Sequence, residues 1–99
     1  VNISSEGGSI KLNDDALYYI YRTSKSSLNS ITKTLSVILQ KENKGICFAV
    51  DPGNMKSGMN PGGFLEASDC AKNILEIISS NDQDLNGKFI DLLKNEIPW

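Results

Sequence analysis

The sequence predicts an α/β fold built on a parallel sheet, and two observations carry that expectation. Apolar runs of strand length alternate with two amphipathic stretches, giving the order strand–helix–strand–helix–strand. One of those runs, "ICFAV" at residues 46–50, is apolar throughout. Lacking polar alternation, it suits a strand covered on both faces, as strands of parallel sheets are.

The elements follow in order. Residues 1–4 read as the end of a strand, with Val1 and Ile3 on one face. "SEGGS" is a turn, and "KLNDD" at residues 11–15 is a polar connector ending in helix-capping types. A helix is predicted over 16–41, with Leu28, Ile31, Leu35 and Ile38 as its apolar face and Gly45 as its C-terminal cap. "DPGNMKSGMNPGG", residues 51–63, carries two prolines and four glycines and reads as a long irregular loop of the kind that bears function. A second helix is expected over 68–79, capped by Ser68 or Asp69, with Ala71, Ile74, Leu75 and Ile78 facing inward. "KFIDLL" reads as a last short strand.

Ninety-nine residues make one domain at most. A net charge of −2, with nine scattered lysines and one arginine, carries no signature of nucleic-acid binding. Histidine is absent, and no cluster has metal-ligand spacing. Cys47 and Cys70 sit in apolar or amphipathic settings and read as buried reduced thiols of a cytoplasmic protein. No apolar run approaches the ~20 residues of a membrane span.

Chemistry is suggested by "IYRTSKSSLNS", residues 20–30, where Tyr21 and Lys25 lie one helical turn apart. By itself the pair is weak: with three tyrosines and nine lysines, about 0.3 such pairs arise by chance. Thr23, Ser24, Ser26 and Ser27 crowd around it, where stronger helix formers would be favoured, and small side chains permit close approach of a ligand or another helix. A tyrosine hydroxyl titrates near about 10, and a neighbouring ammonium favours the phenolate, moving the group toward useful proton transfer. A hydroxyl at a strand end, such as Ser5, could then hold a carbonyl oxygen beside the Tyr21 hydroxyl.

"NISS", "YRTSK" with "SSLNSITKTLSVIL", "DPGNMKS" and the terminal "GKFIDLLKNEIPW", in this order and spacing, resemble the C-terminal half of a short-chain dehydrogenase/reductase. The likeness is to the small carbonyl-reductase branch and covers essentially the whole chain. It implies half of a doubly wound, parallel-sheet Rossmann fold. It implies Ser5, Tyr21 and Lys25 as the catalytic set, with Ser4 as second choice for the serine. Tyr21, Lys25, Pro52, Gly53, Met55 and Ser57 are implied at the cofactor, with NADPH favoured over NADH, and Asn54, Met59 and Phe64 in a lid over a small carbonyl substrate. Homodimer formation through the 16–41 helix is a further implication. Asp51, Gly58 and Lys94-Asn95 depart from the branch's usual residues.

The Gly-rich dinucleotide fingerprint of such proteins has no counterpart in these residues. That absence, with a first strand that opens on "VNISS", leads to the expectation that residues 1–99 are the catalytic portion of one domain without its dinucleotide-binding half. Such a portion would be inactive alone. A non-catalytic, structural role for a truncated chain is the alternative, and nucleotide binding separates the two.

Overall fold

The structure, a computed structural model, describes residues 1–99. Its three strands, β1 (Asn2–Ile3), β2 (Ala49–Val50) and β3 (Phe89–Ile90), form one parallel sheet in that order. Asn2 pairs with Ala49 and Ile3 with Val50, while Ala49 and Val50 pair in turn with Phe89 and Ile90. The α/β class with a parallel sheet is therefore the fold observed. The ladders are shorter than the apolar runs around them. In "ICFAV" the Cys47 amide already donates to the Asn86 side chain at 2.9 Å. In "KFIDLL" the chain turns after Ile90, because the Asp91 carboxylate accepts from the Leu93 and Asn95 amides.

Two helices, α1 (Tyr19–Glu42) and α2 (Ala67–Ser79), connect the strands. The first starts three residues later than its sequence pattern predicts. Ala16 and Tyr18 have φ of 57° and 54°, a left-handed conformation that cannot begin a right-handed helix. This stretch is tied down locally: Arg22 donates to the Leu17 carbonyl and pairs with Asp15 at 2.8 Å. The Leu17 amide, together with Arg22, holds the exposed Asp15 carboxyl below the usual carboxylate range. The helix also ends without Gly45 as its cap. Asn43 takes the left-handed position at φ 53° and bonds back to Gln40 and Leu39. The second helix begins at Ala67, so Ser68 and Asp69 lie inside it, and Glu66 occupies the cap position.

The inward faces also differ from those predicted. On α1 the buried residues are Asn29, Thr32 and Ser36, whereas Ile31, Leu35 and Ile38 are exposed. On α2 Cys70 and Ile77 are buried and Ile74 packs on the core, while Ala71, Leu75 and Ile78 point outward. The core comprises Phe48, Val50, Ile77, Leu85 and Ile90, with Ile46, Ile74 and Leu92 against it. Burying each large member contributes about 1.5–3 kcal/mol.

On the β1 side of the sheet, α1 is held by a polar seam. Asn2 Nδ2 donates to Thr32 Oγ1 at 2.9 Å, Ser4 Oγ to Asn29 Oδ1 at 2.6 Å, and Ser26 Oγ to the Gly8 carbonyl at 2.9 Å. Farther along the helix, Asn86 Nδ2 donates to the Ser36 carbonyl at 3.2 Å. Small side chains let the backbones approach, and hydrogen bonds satisfy most of the polar groups thus buried, Asn29 Nδ2 excepted. Cys47 and Cys70 are both buried and free, as the sequence suggested. No helix is long and apolar enough to cross a membrane.

Acid sensitivity follows from the turn after β3. Burial raises the Asp91 carboxyl, but the side chain and amide of Asn95 and the amide of Leu93 outweigh it, so the group lies below the usual carboxylate range. A depressed folded-state value contributes stability above the unfolded pKa, and that contribution is lost as pH falls through the folded one. Unfolding measured from neutral pH down to below the usual carboxylate range should therefore show a steeper acid-side loss in the wild type than in Asp91→Asn. Parallel profiles would remove Asp91 from the account.

Candidate active site

The carboxyl ends of β1 and β2 open into one cleft, where parallel α/β sheets place their ligands. Beyond β1 the chain runs through Ser4 and Ser5 into a 3-10 turn, Glu6–Gly8. Ser5 caps that turn, its Oγ accepting from the Gly7 amide at 3.1 Å. Beyond β2 it runs through Asp51, Pro52 and Gly53, and Asp51 Oδ1 accepts from the Gly53 amide at 3.1 Å. The cleft between them measures about 460 Å³ and is lined by Ser4, Ser5, Glu6, Gly7 and Tyr21 on one side. Asp51 to Met55, Ser57, Met59 and Asn60 line the other.

Tyr21 reaches the cleft from the first turn of α1. Gly7 separates it from the serine: a Cβ on Gly7 would lie 3.4 Å from both Ser5 Oγ and the Tyr21 ring. The serine hydroxyl and the phenol ring thus flank one narrow point of backbone. Lys25 lies behind Tyr21 and does not line the cleft. Its ammonium sits 5.8 Å from the Tyr21 ring centroid and donates to the Ile3 carbonyl at 3.1 Å, fastening α1 to the end of β1.

The opposite wall is a loop with its own hydrogen bonds. The Lys56 amide donates to the Leu65 carbonyl, and the Phe64 and Leu65 amides donate to Asn54. Asn60 Nδ2 donates to Asn54 Oδ1 at 2.6 Å and to the Met55 carbonyl at 3.0 Å. Cys70 on α2 donates its thiol to the Pro52 carbonyl at 3.4 Å, so the base of the loop rests on that helix. Gly53 has φ of 80°, and a Cβ there would meet Leu65 Cδ1 at 3.0 Å. Both the positive φ and the closeness of Leu65 favour glycine at this position. Pro52, Gly53, Met55 and Ser57 all line this side of the cleft.

Of the residues singled out in the sequence, Ser5, Tyr21, Pro52, Gly53, Asn54, Met55, Ser57 and Met59 share this cleft. Lys25 stands just outside it, and Phe64 lies away from it, 86% exposed. Ser4 lines the cleft, but its hydroxyl is committed to Asn29. Glu6 and Asn60 were not anticipated. The position of Glu6 directly after Ser5 in a glycine turn was a usable signal, whereas the role of Asn60 as a loop clasp emerges only in three dimensions.

Fold and cleft together define a class: parallel α/β chains in which a serine turn and a Tyr–Lys helix meet at the carboxyl ends of the strands. No protein-family model matches the chain. It is similar to the carbonyl reductase Sniffer of D. melanogaster, with 36% identity and a TM-score of 0.90 over 98% of this chain and 39% of that one. The NADPH-bound carbonyl reductase from chicken fatty liver gives 29% identity and a TM-score of 0.78 over 98% of this chain and 41% of that one. The C-signal of Myxococcus xanthus is 30% identical over 99 residues, which are 99% of this chain and 59% of the relative. The chain is thus similar over its whole length to short-chain dehydrogenase/reductases of the carbonyl-reductase kind. Its sheet and helices match part of their Rossmann-type fold.

Proposed function

We propose that these residues form the proton-transfer side of an NADPH-dependent reductase of small carbonyl compounds. The observation that carries the reading is the convergence of Ser5 and Tyr21 on one cleft, opposite the Pro52–Gly53 backbone. Ser5 Oγ donates a hydrogen bond to the substrate carbonyl oxygen and orients it. The Tyr21 hydroxyl gives that oxygen its proton as the carbonyl becomes an alcohol. Lys25, fastened to Ile3, keeps a positive charge behind the phenol ring. Pro52, Gly53, Met55 and Ser57 would hold the nicotinamide, and NADPH when bound supplies the hydride to the carbonyl carbon. Asn54 and Met59 form the loop side of the site, where they exclude water, and Phe64 would join them on closure of that loop.

NADPH is favoured over NADH because a similar structure is described as NADPH-bound. The chain spans 39% of the length of Sniffer and 59% of the C-signal, so the adenosine end of the nucleotide would be held by residues beyond these 99. The exposed Ile31, Leu35 and Ile38 on α1 would be covered by such residues or by a second copy. Two free buried thiols agree with a cytoplasmic setting.

The test is fluorescence titration with NADPH and NADH, followed by carbonyl-dependent oxidation of the bound nucleotide. The full natural chain is expected to bind NADPH and oxidise it when given a small aldehyde or ketone. Residues 1–99 alone are expected to bind neither nucleotide well. No binding by the full chain overturns the reading.

A further inference from the structure

Asn29 lies on α1 four residues beyond Lys25 and eight beyond Tyr21, so the three share one stripe of the helix. Its side chain is 3% exposed, and each end of its amide meets a different part of the serine segment. Oδ1 accepts from Ser4 Oγ at 2.6 Å. Nδ2 has no hydrogen-bond partner and abuts Gly8, where a Cβ would come within 2.8 Å of it. A buried, unpaired N–H destabilises the fold, and an apolar residue of similar size would avoid that cost. A reason for an amide here is geometric. Ser4 is fixed to β2 through its amide, which donates to the Val50 carbonyl at 2.8 Å, and to α1 through Asn29. Gly8 is pressed against the same side chain, and its carbonyl accepts from Ser26. Ser5, Glu6 and Gly7 are strung between these two anchor points.

We propose that Asn29 is a positioning residue: its amide sets how deeply the Ser5–Gly8 turn seats on α1, and hence the placing of the Ser5 hydroxyl relative to Tyr21. The inference rests on the proposed reduction by Ser5 and Tyr21, and it identifies what aligns them. A shift of an ångström between such groups is enough to slow a reaction substantially.

Asn29→Ala in the full chain is expected to lower kcat about 10- to 100-fold while nucleotide affinity stays within about threefold. Ser4→Ala removes the same hydrogen bond from the other side and should reproduce the loss. The double variant should be no slower than the slower single one, because both changes break one link. Unchanged kcat in the single variants, or losses that multiply in the double one, would overturn the proposal. Should Asn29→Ala fail to fold, Ser4→Ala carries the kinetic comparison. A crystal structure of either variant gives a readout independent of activity: the Glu6–Gly8 turn should move relative to α1, and an unmoved turn refutes the positioning role. If the wild type oxidises no nucleotide, the proposed activity fails, and the position of the turn still decides the role of Asn29.

Discussion

Replacing Tyr21 with phenylalanine is expected to lower carbonyl-dependent turnover of the full chain by about 10²- to 10⁴-fold, with nucleotide affinity almost unchanged. The substitution removes one hydroxyl and leaves the ring, which is the part resting against Gly7 and beneath the Lys25 ammonium. Ser5 would still bind the carbonyl oxygen, so the loss should fall on kcat. Tyr21 is the side chain that meets Ser5 across Gly7, while the Lys25 ammonium is engaged with the Ile3 carbonyl. Steady-state kinetics with one aldehyde and a parallel nucleotide titration make the comparison. Turnover equal to wild type would exclude Tyr21 as the proton donor.

The second large effect is on stability. Phe89 on β3 is fully buried and stacks on Trp99, with ring centroids 5.7 Å apart and planes inclined by 22°. Phe89→Ala should cost about 3–5 kcal/mol through lost burial and the cavity left behind. For a domain of this size, whose total stability is typically about 5–15 kcal/mol, such a loss leaves little margin. The damage should also spread. The Phe89 carbonyl accepts from the Ile97 amide at 2.7 Å, Ser9 Oγ donates to the Pro98 carbonyl at 2.6 Å, and the Ile10 amide donates to the Trp99 carbonyl at 2.7 Å. The C-terminal segment thus links β3 to the residues that follow the serine turn. Urea unfolding followed by the fluorescence of Trp99, the single tryptophan, reports both the midpoint and the local environment. A loss below about 1 kcal/mol would mean that the stack contributes little beyond what the site can repack.

Legibility differed from element to element for identifiable reasons. The parallel sheet could be read because "ICFAV" is apolar on both faces, and the structure covers both faces of Ala49 and Val50. The start of α1 could not, since nothing in "DDALYY" announces that Ala16 and Tyr18 adopt positive φ. Periodicity pointed to Leu28, Ile31, Leu35 and Ile38 as the inward face of α1. The helix instead turns Asn29, Thr32 and Ser36 toward the sheet, because there the neighbouring groups are hydrogen-bond partners. A hydrophobic pattern marks which side prefers to leave water, and it cannot show that a polar side finds partners elsewhere in the fold. In α2 the same logic failed by a single step, with Cys70 and Ile77 inward in place of Ala71 and Ile78. For the site, the resemblance carried by "NISS", "YRTSK" and "DPGNMKS" singled out residues most of which share one cleft. The contributions of Asn29 and Asn60 depend on contacts across long or folded-back stretches, which no local motif encodes.

The polar seam between α1 and the β1 side has a thermal consequence. Heat-capacity change on unfolding rises with exposed apolar surface and falls with exposed polar surface. Opening the Asn2–Thr32 and Ser4–Asn29 links exposes mostly amides and hydroxyls, so its free energy should vary only gently between cold and warm conditions. The apolar cluster around Val50 and Ile90 follows the steeper curve of hydrophobic burial and weakens on cooling. Chilling would therefore loosen the oily interior before it loosened the alignment of Ser5 with Tyr21.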